Sequence, residues 1–308
     1  MQTLWKKKTP LHPTFAPINN SLAQDWFLLP HELQLQRAHA KTLHAAGILT
    51  DDEWAALNRG LDTIEQRYAD QPCPESDAED LHTWIEMELA TLVGEVASKI
   101  HTARSRNDQV ATLLKLYVIA AGRQLTEKLA QLTRVCCLRA KDWSDLVFPL
   151  QTHCQFAAPG SVGFWALRYA AAFDRVRNHL NLCAEQWKRY CPLGAGAVGG
   201  SSIPIDRAIQ AAELHFGEPA RNALDATTTR DECLDLLALA AQAALHLQSL
   251  ATDVIAFSQT PFGWTIYPAA FGTGSSMMPN KTNPDAMELL RGEANTVLSA
   301  HSQSLLLL

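Results

Sequence analysis

Ser105-Arg106-Asn107-Asp108-Gln109-Val110-Ala111-Thr112-Leu113-Leu114-Lys115-Leu116-Tyr117-Val118-Ile119-Ala120-Ala121 decides the fold of this chain. Val110, Leu113, Leu114, Tyr117, Val118 and Ala121 recur at the i, i+3, i+4, i+7 spacing of one helix face. Ser105 and Asp108 form an S-x-x-D start signal at its head, where a hydroxyl and a carboxylate can satisfy the first backbone N–H groups. Nothing nearby breaks a helix: no proline lies between Pro74 and Pro149, and Gly122 is the only glycine between Gly94 and Gly160. The stretch therefore predicts a long helix that opens straight out of a polar loop.

Working outward, the same periodicity predicts a second long helix from about Ser161 to Gln186 and a third from about Arg230 to Ser258. The third carries Leu236, Leu239, Ala243, Leu247, Leu250 and Val254 on one stripe. A fourth begins near Asn283-Pro284, with proline suited to a first turn. Shorter helical pieces, Glu32 to Ala46, Asp51 to Ala69 and Ala78 to Leu92, fill the first part of the chain. Strand signals are weak, because no sustained period-two alternation is flanked by Asn-Gly or Asp-Gly turns. The fold class is all-α, with a small helical N-terminal domain over 1–104 and a long-helix bundle over 105–308. The long helices are apolar on more than one face, so burial between subunits is expected rather than a bare monomer. The final leucines, Leu305 to Leu308, stand mid-helix with no C-cap signal, which reads as a bundle cut short.

Composition narrows the partners. The chain has 308 residues, 47% of them hydrophobic and 19% charged, ample for a large core. A net charge of -6 argues against nucleic acid or an acidic membrane surface as partner. The most apolar run, Leu236 to Phe257, is broken by Gln242, His246, Gln248 and Asp253, so no membrane span is expected. Met1 to Lys8 has no apolar stretch after its lysines and does not read as a secretory signal. Seven cysteines without a CxxC pair read as thiols in a reducing cytoplasm, neither a disulfide framework nor a zinc site.

Three loops hold the residues able to do chemistry. His101 to Gln109 sets two arginines, a histidine and an amide at a helix N-terminus, where backbone donors and the helix dipole favour an anion. An ordinary capped helix with solvated charges is the alternative reading of the same residues. Thr152-His153 opens the next long helix, and a lone histidine there also suits a structural role. Asp80 and His82 read equally as a helix-start cluster. The loop Gly274 to Asp285 is the hardest to explain without function. It gathers Ser275, Ser276, Lys281 and Asn283 just before a helix. Removing a proton beside a carboxylate makes a doubly charged carbanion, stabilised chiefly by preorganised donors and cations. Serine becomes a competent base only where N–H groups and a lysine stabilise its alkoxide away from solvent. No metal-ligand spacing and no cofactor motif accompanies these loops.

Together the segments resemble the argininosuccinate lyases of the fumarase/aspartase superfamily. The resemblance rests on Gly274 to Asp285 and His101 to Gln109, with Thr152-His153, Glu79 to His82, Leu193 to Ala197, Asp206-Arg207, Leu224 to Ala226 and Asn20-Ser21-Leu22 with Asp25 in family order. It implies a homotetrameric helical bundle with active sites shared between subunits. It implies a carbon–nitrogen lyase that needs no cofactor and splits a small-molecule substrate, argininosuccinate, into arginine and fumarate in the cytoplasm. Ser275 would take the Cβ proton, and His153 would assist proton delivery to the departing nitrogen. Lys281 and Asn283 would hold the succinyl carboxylate, while Ser21, Arg106 and Asn107 bind substrate carboxylates and Thr152 fixes the succinyl group. The sequence also departs from the family pattern. Gln151, Cys154 and Phe156 replace a tyrosine, an aliphatic and an arginine around Thr152-His153; Lys6-Lys7 replace two glycines, Glu32 an aspartate, and Thr282 a basic residue. A C-terminal domain and a Tyr/Gln/Lys loop of the family lie beyond this sequence. A sister lyase releasing fumarate from another N-substituted aspartate, or a non-catalytic homologue, are the alternatives.

Overall fold

The computed structural model describes residues 12–307; Lys6, Lys7 and Leu308 lie outside them. Helices α1 (Ala16–Asn19), α2 (Leu22–Asp25), α3 (Leu29–Ala45), α4 (Asp51–Tyr68) and α5 (Leu81–Val93) lead into the long α6 (Arg106–Asp142). Strands β1 (Val147–Thr152) and β2 (Gln155–Ser161) separate it from α7 (Val162–Trp187). Next come β3 (Tyr190–Cys191), α8 (Arg207–Glu213), β4 (Glu218–Pro219) and α9 (Ala223–Thr228). The chain continues through α10 (Asp231–Phe257), β5 (Thr273–Gly274), β6 (Thr282–Asn283) and α11 (Asp285–Leu307). The architecture is mostly helical, and its few strands pair into three two-stranded sheets, β3 with β4 in parallel and the other two antiparallel. Contacts group the chain into two compact units. One comprises the residues up to Ile119 with Trp187–Thr229; the other comprises Ala120–Gln186 with Arg230–Leu308. The segment 187–229 thus joins the first unit, whereas the sequence reading cut the chain once, at 104/105.

In the first unit α3, α4 and α5 bury Leu33, Leu43, Leu57, Leu61, Ile64, Leu81, Ile85 and Leu89 in one core. Each such side chain contributes roughly 1.5–3 kcal/mol on leaving water. Trp26, Tyr68 and Trp84 close that core edge to face. Helix α4 starts with a full capping box between Thr50 and Glu53. A second cluster matters more for the site. Leu35 and Ala38 of α3, Leu113 and Leu116 of α6, and Leu193 and Phe216 pack together and fix the first turns of α6 beside the 193–216 segment. Of the stripe that predicted α6, Leu113 and Val118 are buried, while Val110 is 41% exposed.

The second unit is held by a polar staple as well as by apolar packing. Asp253 of α10 accepts hydrogen bonds from Trp165 Nε1 at 2.8 Å, Tyr169 Oη at 2.6 Å and Arg168 Nη1 at 3.1 Å, all on α7. Burial and then the bond to Asp253 raise the Tyr169 hydroxyl above its ordinary value. Phe148 of β1, Phe257 of α10 and Trp264 form an aromatic cluster beneath the β1–β2 hairpin. Helix α10 is long and apolar enough to cross a membrane by length and composition, with mean hydropathy 1.3 in its most apolar window. The four polar residues that interrupt it remain, and Asp253 among them is spent on the staple to α7.

Candidate active site

The start of α6 shows why this sequence folds as it does locally. Ser105 N–H donates to Asp108 Oδ1 at 3.0 Å, and Asn107 N–H donates to Ser105 Oγ at 3.3 Å. The S-x-x-D signal is therefore a working cap. Asp108 is fully buried, and its other oxygen, Oδ2, accepts the N–H groups of Gly194 and Gly196, each at 2.9 Å. Burial pushes the Asp108 carboxyl up, and the backbone donors and Arg104 oppose that push.

Arg106 is held by acidic and polar neighbours. Its Nη1 donates to Glu86 Oε1 at 2.9 Å and to Gln109 Oε1 at 2.8 Å; Nη2 donates to Thr83 Oγ1 at 3.3 Å, and Nε lies 3.4 Å from Asp80 Oδ2. Burial alone would push Glu86 up, but the bonds from His101 and Arg106 reverse this and bring its carboxyl down to about 2. Arg104 is buried and donates to Gln36 Oε1 at 2.9 Å. Burial lowers it to about 10, so it stays cationic at neutral pH. Gln36 in turn donates to Glu32, whose Oε1 lies 2.9 Å from His82 Nδ1. Burial pushes His82 down, yet the Glu32 carboxylate outweighs it and the net shift is upward.

Ser21 belongs to the same unit. Its N–H donates to the Glu79 carbonyl at 2.7 Å and its Oγ to Asp25 at 2.5 Å. Ser21 and Arg106 thus converge on the 79–80 segment. Asn107 is exposed, and its Nδ2 donates to the Ala197 carbonyl at 3.3 Å. A cavity of about 630 Å³ opens beside these residues, lined among others by Glu79, His101, Arg104, Arg106, Ala197 and Ser201.

Thr152, His153, Ser275, Lys281 and Asn283 lie in the second unit. Thr152 pairs with Gln155 across a two-residue hairpin turn, whose residues His153 and Cys154 have φ 52° and 58°. Two successive left-handed residues are what a type I′ turn demands, and Asn-Gly is its usual sequence. With histidine and cysteine each position carries about 1–2 kcal/mol of strain. Strain of this kind collects where a side chain must be presented, and His153 is exposed at the tip.

Ser275 is half-buried, and its Oγ accepts the Met278 N–H at 3.1 Å. Lys281 N–H donates to the Met278 carbonyl at 3.3 Å, while its side chain is exposed. Asn283 pairs with Thr273 across β5 and β6, and Asp285 accepts the Thr273 N–H at 2.5 Å, closing the loop at its base. That bond holds the Asp285 carboxyl below its usual range. Ser275, Lys281 and Asn283 share one closed loop. Among the described residues no hydrogen bond or ion pair joins that loop to His153.

The profile of a lyase family matches residues 6–299. The chain belongs to that lyase family. Argininosuccinate lyase of Acidobacterium capsulatum is 38% identical over 98% of this chain and 63% of its own length. Argininosuccinate lyase of Thermus thermophilus is 42% identical over 92% of this chain and 62% of its own length. The chain therefore spans less than two thirds of the relatives it matches. Among solved structures, a variant of EDDS lyase with bound fumarate superposes with TM-score 0.82 at 23% identity, over 95% of this chain and 58% of that one. A fumarate lyase:delta crystallin from Brucella melitensis superposes with TM-score 0.80 at 19% identity, over 96% of this chain and 69% of that one. These likenesses show the fold of the lyase family.

Sequence reasoning missed the double duty of Asp108 and the internal partners of Arg106. The first could have been sought in the glycine-rich segment Leu193 to Gly200, since closely spaced glycines often mark a backbone cradle for an anion. The second had no local signal, because Thr83 and Glu86 lie on a different helix.

Proposed function

We propose that this chain carries the elimination machinery of an argininosuccinate lyase, splitting argininosuccinate reversibly into arginine and fumarate without a cofactor. What carries the reading is 38–42% identity to argininosuccinate lyases along 92–98% of the chain, in which the residues expected to do the chemistry all stand. Ser275 acts as the base toward the Cβ proton. The Met278 N–H on Ser275 Oγ supports this role, since it favours the alkoxide over the hydroxyl. Lys281 and Asn283 hold the succinyl carboxylate and draw charge from the carbanion. Thr152 fixes the succinyl group, and His153, presented on its strained turn, assists protonation of the leaving guanidinium nitrogen. Ser21 and Asn107 bind the other carboxylates. Arg106, whose guanidinium bonds to Glu86, Gln109 and Thr83, takes part through its charge.

The sites are completed between protomers of a homotetramer in the cytoplasm. Support for assembly comes from apolar side chains left exposed on the long helices, among them Leu138, Phe164, Leu182, Leu245 and Leu289. Residues 1–104 serve as the N-terminal lyase domain and 105–308 as the central bundle. A fumarate-releasing lyase acting on another N-substituted aspartate is the second reading. It is favoured by Phe156, 68% exposed and packed on Trp264 where the family pattern has an arginine. The test is to mix purified chain with argininosuccinate and with other N-substituted aspartates, following fumarate by ultraviolet absorbance and the amine product by mass spectrometry. Fumarate and arginine from argininosuccinate are the expected products. A folded protein that releases fumarate from none of them refutes both readings.

A further inference from the structure

A helix cap needs one oxygen of Asp108, yet the buried carboxylate uses both. Oδ1 closes the cap on Ser105, and Oδ2 reaches Gly194 and Gly196, 86 and 88 residues away in sequence. Those glycines have φ +84° and +65°, and the turn around them directs two N–H groups at one point. Such a cradle would suit a bound anion, but the protein fills it with its own side chain. The cradle tolerates no substitution easily. A Cβ on Gly194 would meet Gln210 Oε1 at 2.6 Å, and one on Gly196 would meet the Gly200 carbonyl oxygen at 2.6 Å. One residue beyond Gly196, the Ala197 carbonyl accepts the side-chain amide of Asn107, the neighbour of Asp108. A carbonyl oxygen only accepts, so Nδ2 must face Ala197, and its second hydrogen is the donor left for a carboxylate.

We infer that Asp108 is a positioning residue: by clamping the Gly194–Gly196 turn to the head of α6 it sets the Ala197 carbonyl that orients Asn107 for substrate. The inference rests on the proposed lyase reading for its kinetic consequence, but the clamp itself does not. Losing Asp108 frees the turn, the carbonyl drifts, and the Asn107 amide no longer points at the substrate carboxylate. Chemistry at Ser275 is untouched once substrate is bound. The expected signature is therefore in KM and not in kcat.

The experiment compares wild type, Asp108→Asn, Gly196→Ala, Asn107→Ala and the Asp108→Asn/Asn107→Ala double variant. Asparagine keeps the size of the side chain but puts a donor where one set of N–H groups points. Gly196→Ala leaves Asp108 intact and displaces the turn, which guards against a variant that fails merely through its cap. For argininosuccinate, Asp108→Asn and Gly196→Ala should each raise KM about tenfold with kcat within about threefold, the size of one lost charge-assisted bond. In the Asp108→Asn background, Asn107→Ala should add less than about twofold, because the amide is already misplaced. Hydrogen exchange over 193–201 should quicken in both Asp108→Asn and Gly196→Ala. A lowered melting temperature with unchanged KM, or additive effects of the two substitutions, would overturn the inference. Wild type that neither turns over nor binds fumarate would sink the lyase reading instead. Exchange over 193–201 would then decide the clamp alone, unchanged exchange in Asp108→Asn refuting it.

Discussion

Glu86 offers the most quantitative prediction. Its carboxyl sits at about 2 in the folded chain against an ordinary 4.5, despite burial that would raise it, because Arg106 and His101 bond to the ionised form. A carboxylate depressed on folding stabilises the fold above its unfolded value, and that stabilisation is lost as pH falls toward its folded value. Holding the carboxyl down at about 2 corresponds to about 3 kcal/mol at pH 7. At pH 3 only about 1 kcal/mol remains, so about 2 kcal/mol disappears between the two. Glu86→Gln cannot titrate, and its stability should lack this part of the pH dependence. The assay is urea unfolding of both proteins at pH 7 and pH 3, read by hydrogen exchange across α5, which carries Glu86. The advantage of wild type over the variant should shrink by about 2 kcal/mol on acidification. An advantage that is the same at both pH values would mean that Glu86 is not held ionised by its partners.

Other outcomes follow from single contacts. Cys154→Gly should stabilise the second unit by about 1 kcal/mol by relieving a left-handed turn residue, measured as a higher unfolding midpoint. Gly163→Ala should destabilise it by more than about 2 kcal/mol, because the new Cβ would meet the Ala140 carbonyl oxygen at 2.3 Å and backbone must move. A normal melting temperature for that variant would contradict the close approach of α7 to the end of α6.

The helices were legible because their signal is local. The period that ran from Leu113 through Val118, the Ser105–Asp108 start signal and the proline before α11 each specify an element within a few residues. Helices α7 and α10 begin and end, and α6 and α11 begin, within about two residues of where the sequence places them. The β1–β2 hairpin was not legible, since its tip carries His153 and Cys154 and not the Asn-Gly pair that announces such a turn. The loops bearing Ser275 and Arg106 could be picked out by their density of hydroxyls, cations and amides. The partners of the Arg106 loop could not, because Glu86, Gly194 and Ala197 reach it through tertiary packing and not through spacing.

The proposed lyase function depends on the Ser275 hydroxyl, turned basic by its loop, removing the Cβ proton. The most direct test is the turnover of argininosuccinate by wild type and by Ser275→Ala at saturating substrate, with fumarate affinity measured alongside. Ser275→Ala should still bind fumarate and lose about 10²–10⁴-fold in kcat. A variant that turns over within a few-fold of wild type would contradict it.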